Sequence, residues 1–386
     1  MTPSTFPWPW TKGDNRRLTL VVALWVLALN AWALVAIDFL PITRVSPWEP
    51  SANQRAPLYA RYDSGWYDGI IRFGYNRPPA PGQPSAHAFF PLYPELARFL
   101  HLMTGVDSFQ CGLAITYLAL FFAMPLFLEE AKLRFGEEKA FGTVPFLLLY
   151  PVAFFLAAVY TESLFLLLAL LSFRDVRNGQ AGRAALWAFL AGLTRAPAAA
   201  LGPPLALAWV ALHREKPRRL ATAAALLLAP VAGVCLWIFG IGLAKGEPYL
   251  FFRSMGAWRH EAGHPTAGAF AFFEELSRYV STGYFREHPG ALLPYLHFVL
   301  FSIVTVYLLV KRRLADASWP AGVLALSVLT GTSAGVPRYT STIYVGHFAL
   351  FSMTEGRPLL RRALLAAYTA VLLLNTAFFV NWHFVS

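Results

Sequence analysis

Long apolar segments, separated by short polar ones, occupy most of the chain. About 20 consecutive apolar residues cross a bilayer as a helix. The run 184–212 is interrupted by Arg195 and Pro197, so we expect two short spans there. The pattern predicts an all-α polytopic membrane protein with about eleven transmembrane helices. The apolar runs are residues 18–40, 109–128, 141–158, 163–173, 184–212, 220–243, 291–310, 319–336, 339–353 and 363–380.

Two longer polar segments and one mixed segment lie between these runs. Residues 41–87 and 244–289 are polar and are expected to form long loops outside the bilayer core. Residues 88–103 begin apolar but carry Glu95, Arg98 and His101, a pattern typical of a re-entrant or interfacial helix. We expect a single integral membrane domain over residues 1–386, without a separate soluble domain.

The basic residues fall into six short clusters between the apolar runs. Lys and Arg are enriched in the cytoplasmic loops of membrane proteins. If residues 88–103 do not cross the bilayer, all six clusters lie on one side, and residues 1–17 form a cytoplasmic tail. Both long loops and the C-terminus then lie on the extracytoplasmic side. The clusters occupy residues 12–17, 132–139, 174–183, 214–219, 311–313 and 357–362.

Composition agrees with a membrane protein and argues against a nucleic-acid partner. Hydrophobic residues make up 57% of the chain and charged residues 14%, whereas soluble domains carry about 25% charged residues. The net charge of +11 comes from the basic clusters, which set orientation. Cys111 and Cys235 both lie in apolar stretches, so neither a structural disulfide nor a metal cluster is expected.

The first long loop contains a carboxylate in a setting that suits acid–base chemistry. Asp63 follows Arg61 and precedes Trp66, Tyr67 and Asp68. A carboxylate flanked by aromatic rings at a membrane surface is partly dehydrated, which makes it a better proton acceptor. Asp63 and Asp68 would lie roughly 140° apart on a helix, so they are not expected to act as a pair. The alternative is that Asp63 pairs with Arg61 and caps a short interfacial helix.

Three further charged residues lie in or beside apolar runs. Glu162 either faces an acceptor hydroxyl or a catalytic arginine, or occupies the first turn of a helix that Thr161 caps. Arg195 is costly inside an apolar segment and is expected to face a cavity and an anionic partner, unless its side chain extends to the interface. Arg338, near the start of a helix, suits a phosphate group.

Several short strings occur in the order found in a known family. They are the Asp63 loop, Phe90-Pro91-Leu92-Tyr93-Pro94, Tyr160-Thr161-Glu162-Ser163-Leu164-Phe165, Thr194-Arg195 and Pro337-Arg338-Tyr339. Together they resemble the PIG-V type mannosyltransferases, a family of GT-C membrane glycosyltransferases. The family usually has Trp before the loop aspartate and a polar pair after the Thr-Arg, where this chain has Tyr62 and Ala196-Pro197.

The resemblance implies a GT-C-like helical bundle and a role for each matching residue. Asp63 would be the catalytic base, and Arg338 and Arg195 would bind the donor phosphate. No cofactor and no metal is expected, because a phosphate leaving group on a carrier lipid does not demand a metal. The expected substrate-binding residues are Arg61, Trp66, Tyr67, Asp68, Tyr93, Tyr160, Glu162 and Tyr339.

The expected function is inverting transfer of a sugar, with mannose implied by the resemblance, on the extracytoplasmic face. The donor would be a polyprenyl- or dolichyl-phosphate sugar, and the acceptor would be a glycan or glycolipid. Membrane lipids would surround the protein. The membrane would be the plasma membrane in a prokaryote or the endoplasmic reticulum in a eukaryote. One alternative is a transporter or lipid-carrier flippase. It explains the spans and Arg195, but it explains the two long loops less well. The others are a structural subunit of a membrane complex and a transferase of carrier-linked arabinose or glucose.

Overall fold

The computed structural model describes residues 13–38, 58–76, 84–256, 265–284, 289–331, 333–383 and 385. Parts of five expected segments lie outside the described residues. They are residues 1–12 of the tail, residues 39–40 of the first apolar run, residues 41–57 and 77–83 of the first long loop, residues 257–264 and 285–288 of the second, and residue 332 of the run 319–336.

Helices form all the regular secondary structure of the described residues, which contain no strand. The α-helices are α1 Gly13–Ala36, α2 Asp63–Phe73, α3 Leu92–Thr104, α4 Ser108–Phe135, α5 Glu137–Ala140, α6 Val144–Leu148, α7 Glu162–Arg177, α8 Ala181–Gly192, α9 Gly202–Leu212, α10 Arg219–Ala244, α11 Leu250–Gly256, α12 Pro265–Ser281, α13 Leu293–Val310, α14 Leu314–Leu329, α15 Val336–Ser341, α16 Tyr344–Met353 and α17 Pro358–Val380. The 3₁₀ helices are Ala86–Ala88, Phe141–Thr143, Ala153–Ala157, Ala196–Leu201 and Pro289–Leu292.

Five helical segments of the described chain are long and apolar enough to cross a membrane, by length and composition. Large apolar side chains such as Leu24, Leu228 and Leu374 are exposed on their surfaces, where lipid is a better solvent than water. The protein is therefore all-α with the features of a membrane protein, as the apolar pattern predicts. The five segments are Gly13–Ala36, Ser108–Phe135, Arg219–Ala244, Gly290–Val310 and Pro358–Val380.

Helix α7 lies in the interior of the helical bundle. It packs against α4 and α8, and its residues Leu166, Ala169 and Leu170 are wholly buried. The buried residues of α7 lie on all sides of the helix rather than along one face, as expected for a helix enclosed by others. Its two ends are therefore held rigidly by the surrounding helices.

The apolar run 141–158 does not form one continuous helix. It contains α6 between the 3₁₀ helices Phe141–Thr143 and Ala153–Ala157. Pro151, between α6 and the second of these, has no backbone N–H to donate. Its carbonyl oxygen accepts a hydrogen bond from Asn375 Nδ2 at 2.9 Å. A hydrophobic run predicts burial, but it does not distinguish a helix from a broken segment enclosed by protein.

The chain between α8 and α9 breaks at Arg195, within the run that we expected to be interrupted. Arg195 has an extended backbone, with φ −170° and ψ 150°, and the 3₁₀ helix Ala196–Leu201 follows it. Pro197 supplies no N–H for a helical hydrogen bond to the preceding turn. The break places the Arg195 side chain in the interior of the bundle, where the residue is 7% exposed.

The basic clusters meet at one end of the bundle, which we call the basic end. Helix α7 runs from Glu162 to Arg177, and its 16 residues extend about 24 Å at the usual rise per residue. Glu162 therefore lies at the opposite end of the bundle. The ion pairs that connect the basic end are Lys132 with Asp14, Arg134 with Asp316, Lys139 with Glu355, and Arg177 with Glu130.

Candidate active site

Asp63 is the first residue of α2 and follows a residue with a strained backbone. Tyr62 has φ 54° and ψ −117°, a combination that residues with a Cβ atom rarely adopt. The Tyr62 ring packs against Phe379 and Trp382, with centroids 5.6 and 5.5 Å away. Strain of this kind costs about 1–3 kcal/mol and is found most often at functional sites. The end of α17 thus helps to hold the backbone that orients Asp63.

Glu162 is the first residue of α7, and its side chain is wholly buried. Thr161 forms no side-chain hydrogen bond that caps the helix. The position in the first helical turn still favours a negative charge, because the helix N-terminus is positive. A buried carboxylate requires cationic partners, and the structure supplies two of them.

Arg338, on the short helix α15, connects the two carboxylates. Its Nη1 atom lies 2.6 Å from Asp63 Oδ2, and its Nε atom donates to Glu162 Oε1 at 2.9 Å. The guanidinium carbon lies 4.6 Å from the centroid of the Tyr160 ring and 5.0 Å from that of Phe155. The two ion pairs and the two rings fix the plane of the guanidinium group.

Arg195 is the second cation beside Glu162. Its Nη2 atom lies 3.2 Å from Glu162 Oε1, and its guanidinium carbon lies 5.0 Å from the Tyr339 ring centroid. Asp63, Glu162, Arg195 and Arg338 thus form one connected group, which we call the charged cluster. Four segments that are distant in sequence contribute one residue each.

The charged cluster has balanced formal charge and graded exposure. The side chain of Asp63 is 26% exposed, that of Arg338 14%, that of Arg195 8% and that of Glu162 0%. Within the described part of the chain, Glu162 Oε2 and Arg195 Nη1 are buried without a hydrogen-bond partner. Each of these two atoms can form a hydrogen bond with a ligand or a water molecule that enters the site. Because its side chain is the most exposed of the four, Asp63 is the member of the cluster that a ligand reaches first.

Aromatic residues form the surroundings of Asp63. The Tyr67 ring lies 5.2 Å from that of Tyr93 and 6.2 Å from that of Tyr160, and Trp66 stacks on Phe89. Burial, and then the nearby Asp63 charge, raise the pKa of the Tyr67 hydroxyl well above its usual range. Tyr67 is therefore neutral, and its hydroxyl group is not suited to act as a base.

Asp68 and Arg61, two residues on and beside α2 that were expected to bind substrate, make their main contacts with other parts of the protein. Asp68 Oδ1 lies 2.9 Å from Arg72 Nε and accepts a hydrogen bond from the Ser108 hydroxyl, which connects α2 to α4. The Arg61 guanidinium donates to the Val380 carbonyl at 3.1 Å. These contacts favour structural roles for Asp68 and Arg61.

The hydroxyl groups of two candidate tyrosines are used inside the protein. Tyr93 donates to the Gly112 carbonyl at 3.0 Å, and Tyr160 donates to the Arg61 carbonyl at 3.0 Å. Both residues are also almost wholly buried, at 0% and 1% exposed, so these contacts favour roles in shaping the site rather than direct contact with a ligand. Phe155 was not among the sequence candidates, because a phenylalanine inside an apolar run carries no signal that distinguishes a cation-contacting ring from a lipid-facing one.

The chain matches no protein-family model and no curated protein. The resemblance to the PIG-V type mannosyltransferases therefore remains an expectation from short strings. The residues of the charged cluster and their geometry are the main structural support for a function.

Proposed function

We propose that the protein is a multi-pass membrane glycosyltransferase that moves a sugar from a lipid-phosphate carrier by an inverting reaction. The observation that carries the proposal is the Arg338 guanidinium bridging Asp63 and Glu162. It supplies a partly exposed carboxylate as a base and an adjoining cation as a partner for a leaving phosphate. The resemblance to the PIG-V type family supports the same chemistry.

The proposal includes about eleven membrane passes, with the basic end in the cytoplasm. Asp14 pairs with Lys132 at the basic end, while Tyr62 packs beside Trp382 at the opposite end. Helices α1 and α17 each run from the basic end to the opposite end. The chain therefore begins on one side of the membrane and ends on the other, which agrees with an odd number of passes. Helix α3 begins where Leu92 N–H donates to the Leu193 carbonyl, close to Arg195, which agrees with an interfacial or re-entrant helix.

In the proposed reaction, Asp63 removes the proton of an acceptor hydroxyl as the hydroxyl oxygen attacks the anomeric carbon of the donor sugar. The bond between that carbon and the phosphate oxygen breaks on the opposite face. The carrier phosphate leaves with the electron pair, and the configuration at the carbon inverts. The atoms and charges balance without a cofactor or a metal ion.

The charge of the cluster changes in step with this reaction. Before transfer, the two carboxylates and the two guanidinium groups balance. When Asp63 accepts the proton, the cluster is left with one positive charge in excess, on Arg338 and Arg195. The leaving phosphate gains negative charge in the same step, so a preorganised cation is present where charge develops. Glu162 positions both arginines.

The donor in this proposal is a polyprenyl- or dolichyl-phosphate sugar, with mannose implied by the family resemblance. The acceptor is a glycan or glycolipid. Trp66 and Tyr339 are half-buried and offer rings on which a sugar face can pack, whereas Tyr67 is buried. In this proposal the site opens on the extracytoplasmic side of the membrane. Transfer of a different carrier-linked sugar would use the same cluster.

Purified protein in proteoliposomes, supplied with labelled polyprenyl-phosphate mannose and a panel of glycolipid acceptors, tests the proposal. Transfer predicts a labelled product with a new glycosidic bond of inverted configuration, together with release of polyprenyl phosphate. Movement of intact labelled donor across the bilayer, without either product, would instead identify a flippase.

A further inference from the structure

A cavity of about 1000 Å³ opens at the basic end of the bundle. The ends of α4, α7 and α9, the start of α10 and the turn between α13 and α14 form its wall. Two lining carboxylates, Glu130 and Asp316, face six lining arginines, so the wall carries four positive charges in excess. The arginines are Arg134, Arg177, Arg214, Arg219, Arg312 and Arg313.

Three of these arginines form ion pairs with carboxylates, and three do not. Arg214, Arg219 and Arg312 form no ion pair with any residue that the structure describes. Arg219 donates only to the backbone oxygen of Arg214, at 3.2 Å. Three of the four excess charges therefore lie on these side chains, and the fourth arises because Arg134 and Arg313 share Asp316. The balanced pairs are Arg134 and Arg313 with Asp316, and Arg177 with Glu129 and Glu130.

Arg312 also has an unusual backbone conformation. Its φ of 57° lies in the left-handed region, at a position after α13 where glycine or asparagine commonly ends a helix. A residue with a Cβ atom is disfavoured there by about 1–2 kcal/mol. A strained arginine beside a basic cavity indicates a use for its side chain.

The cavity lining is apolar as well as basic. Leu133, Leu207 and Leu314 line it, and they are 60%, 42% and 59% exposed. Exposed leucines at the end of a membrane helix face acyl chains. The lining thus matches a molecule with an anionic head and an apolar tail, whereas a free anion would use the arginines alone.

We propose that this cavity binds the phosphate headgroup of an acidic membrane lipid. Arg214, Arg219 and Arg312 would donate hydrogen bonds to the phosphate oxygens, as guanidinium groups do to phosphates elsewhere. The lining leucines would contact the lipid's acyl chains. Basic pockets between helices at a cytoplasmic membrane surface are a known mode of anionic-lipid recognition.

Lipid binding to the full-length protein in a nonionic detergent, measured by native mass spectrometry, tests the proposal. Wild-type protein is expected to bind phosphatidylglycerol in preference to phosphatidylcholine. The double variant Arg214→Gln/Arg312→Gln is expected to bind phosphatidylglycerol about thirty-fold more weakly, the effect of two arginines near an anionic lipid. Both side chains are exposed, so the fold should survive. Should the double variant be unstable, Arg214→Gln alone is expected to weaken binding about fivefold.

The matched control is Lys245→Gln/Arg278→Gln, which removes two exposed positive charges away from the cavity and should bind like wild type. Inorganic phosphate should bind far more weakly than the lipid. Undiminished phosphatidylglycerol binding by the Arg214→Gln/Arg312→Gln variant would overturn the proposal. Equal binding of phosphatidylcholine, or phosphate binding as tight as lipid binding, would overturn it too.

Discussion

Asp63 is the most exposed member of the charged cluster and Glu162 the least, and this gradient separates their roles. A base must reach the acceptor hydroxyl, which suits the partly exposed Asp63. Glu162 has a wholly buried side chain and two cationic partners, Arg338 and Arg195. Removal of its charge would leave two buried guanidinium groups with one carboxylate between them.

We expect Glu162→Gln to lower the free energy of unfolding by about 3–5 kcal/mol, the usual effect of breaking a buried ion pair from one side. Unfolding in mixed detergent micelles measures this change. The double variant Glu162→Gln/Arg195→Met removes the unbalanced cation as well, so it should recover part of the loss. A fully stable Glu162→Gln variant would contradict the role given to this carboxylate.

The sequence indicated all four residues of the charged cluster but not how they pair. Asp63 was identified by its aromatic neighbours, Glu162 and Arg338 by their positions near helix starts beside apolar runs, and Arg195 by its cost inside an apolar segment. Arg61, the sequence neighbour, was the expected partner of Asp63 in the alternative interpretation, whereas the structure gives it Arg338, 275 residues away. Such a pairing depends on how the helices pack, which a single sequence does not reveal.

At the scale of elements, some of the predicted helices follow their apolar runs closely, whether or not the run contains a proline. The run 18–40 corresponds to α1, and the run 220–243 lies inside Arg219–Ala244. The run 141–158, by contrast, is broken around Pro151. Proline alone does not decide the difference, because α10 continues through Pro230. Hydrophobicity predicts burial, but it does not distinguish a continuous helix from a broken segment enclosed by protein.

Close packing of α8 against α10 sets the position of Arg195. A Cβ atom on Gly192 would lie 2.2 Å from the Pro230 carbonyl oxygen. We therefore expect Gly192→Ala to push the helices apart, to lower stability by about 1–3 kcal/mol, and to reduce transfer activity by displacing Arg195. Thermal unfolding in detergent and the transfer assay measure the two effects.

Gly182→Ala is the matched control on the same helix, since a Cβ atom there would meet nothing within 4 Å. It should leave activity unchanged and raise stability by at most about 1 kcal/mol. Equal behaviour of the two variants would show that the contact between α8 and α10 does not position Arg195.

At the scale of the whole molecule, the charged cluster and the basic end lie at opposite ends of α7. The proposed orientation, with the basic end in the cytoplasm, predicts that the cluster lies outside the cytoplasm. Labelling of single cysteines with a membrane-impermeant thiol reagent, in a Cys111→Ala/Cys235→Ala background, tests this orientation. Glu274→Cys, at an exposed position on α12, should react in intact cells, and Glu215→Cys, between α9 and α10, only after permeabilisation. The reverse result would place the charged cluster in the cytoplasm and exclude an extracytoplasmic donor.

The catalytic assignment of Asp63 is the central claim, and turnover of Asp63→Asn tests it most directly. The amide can still accept a hydrogen bond from Arg338 but cannot take up the acceptor proton, so kcat should fall by about 10²–10⁴. Glu274→Gln, which neutralises an exposed carboxylate on α12, should leave kcat unchanged. Glu274→Gln should unfold at the wild-type temperature, and Asp63→Asn should stay folded with a smaller loss of stability than Glu162→Gln, because the Asp63 side chain is 26% exposed. Near-normal turnover by folded Asp63→Asn protein, with polyprenyl-phosphate sugar supplied, would contradict the account.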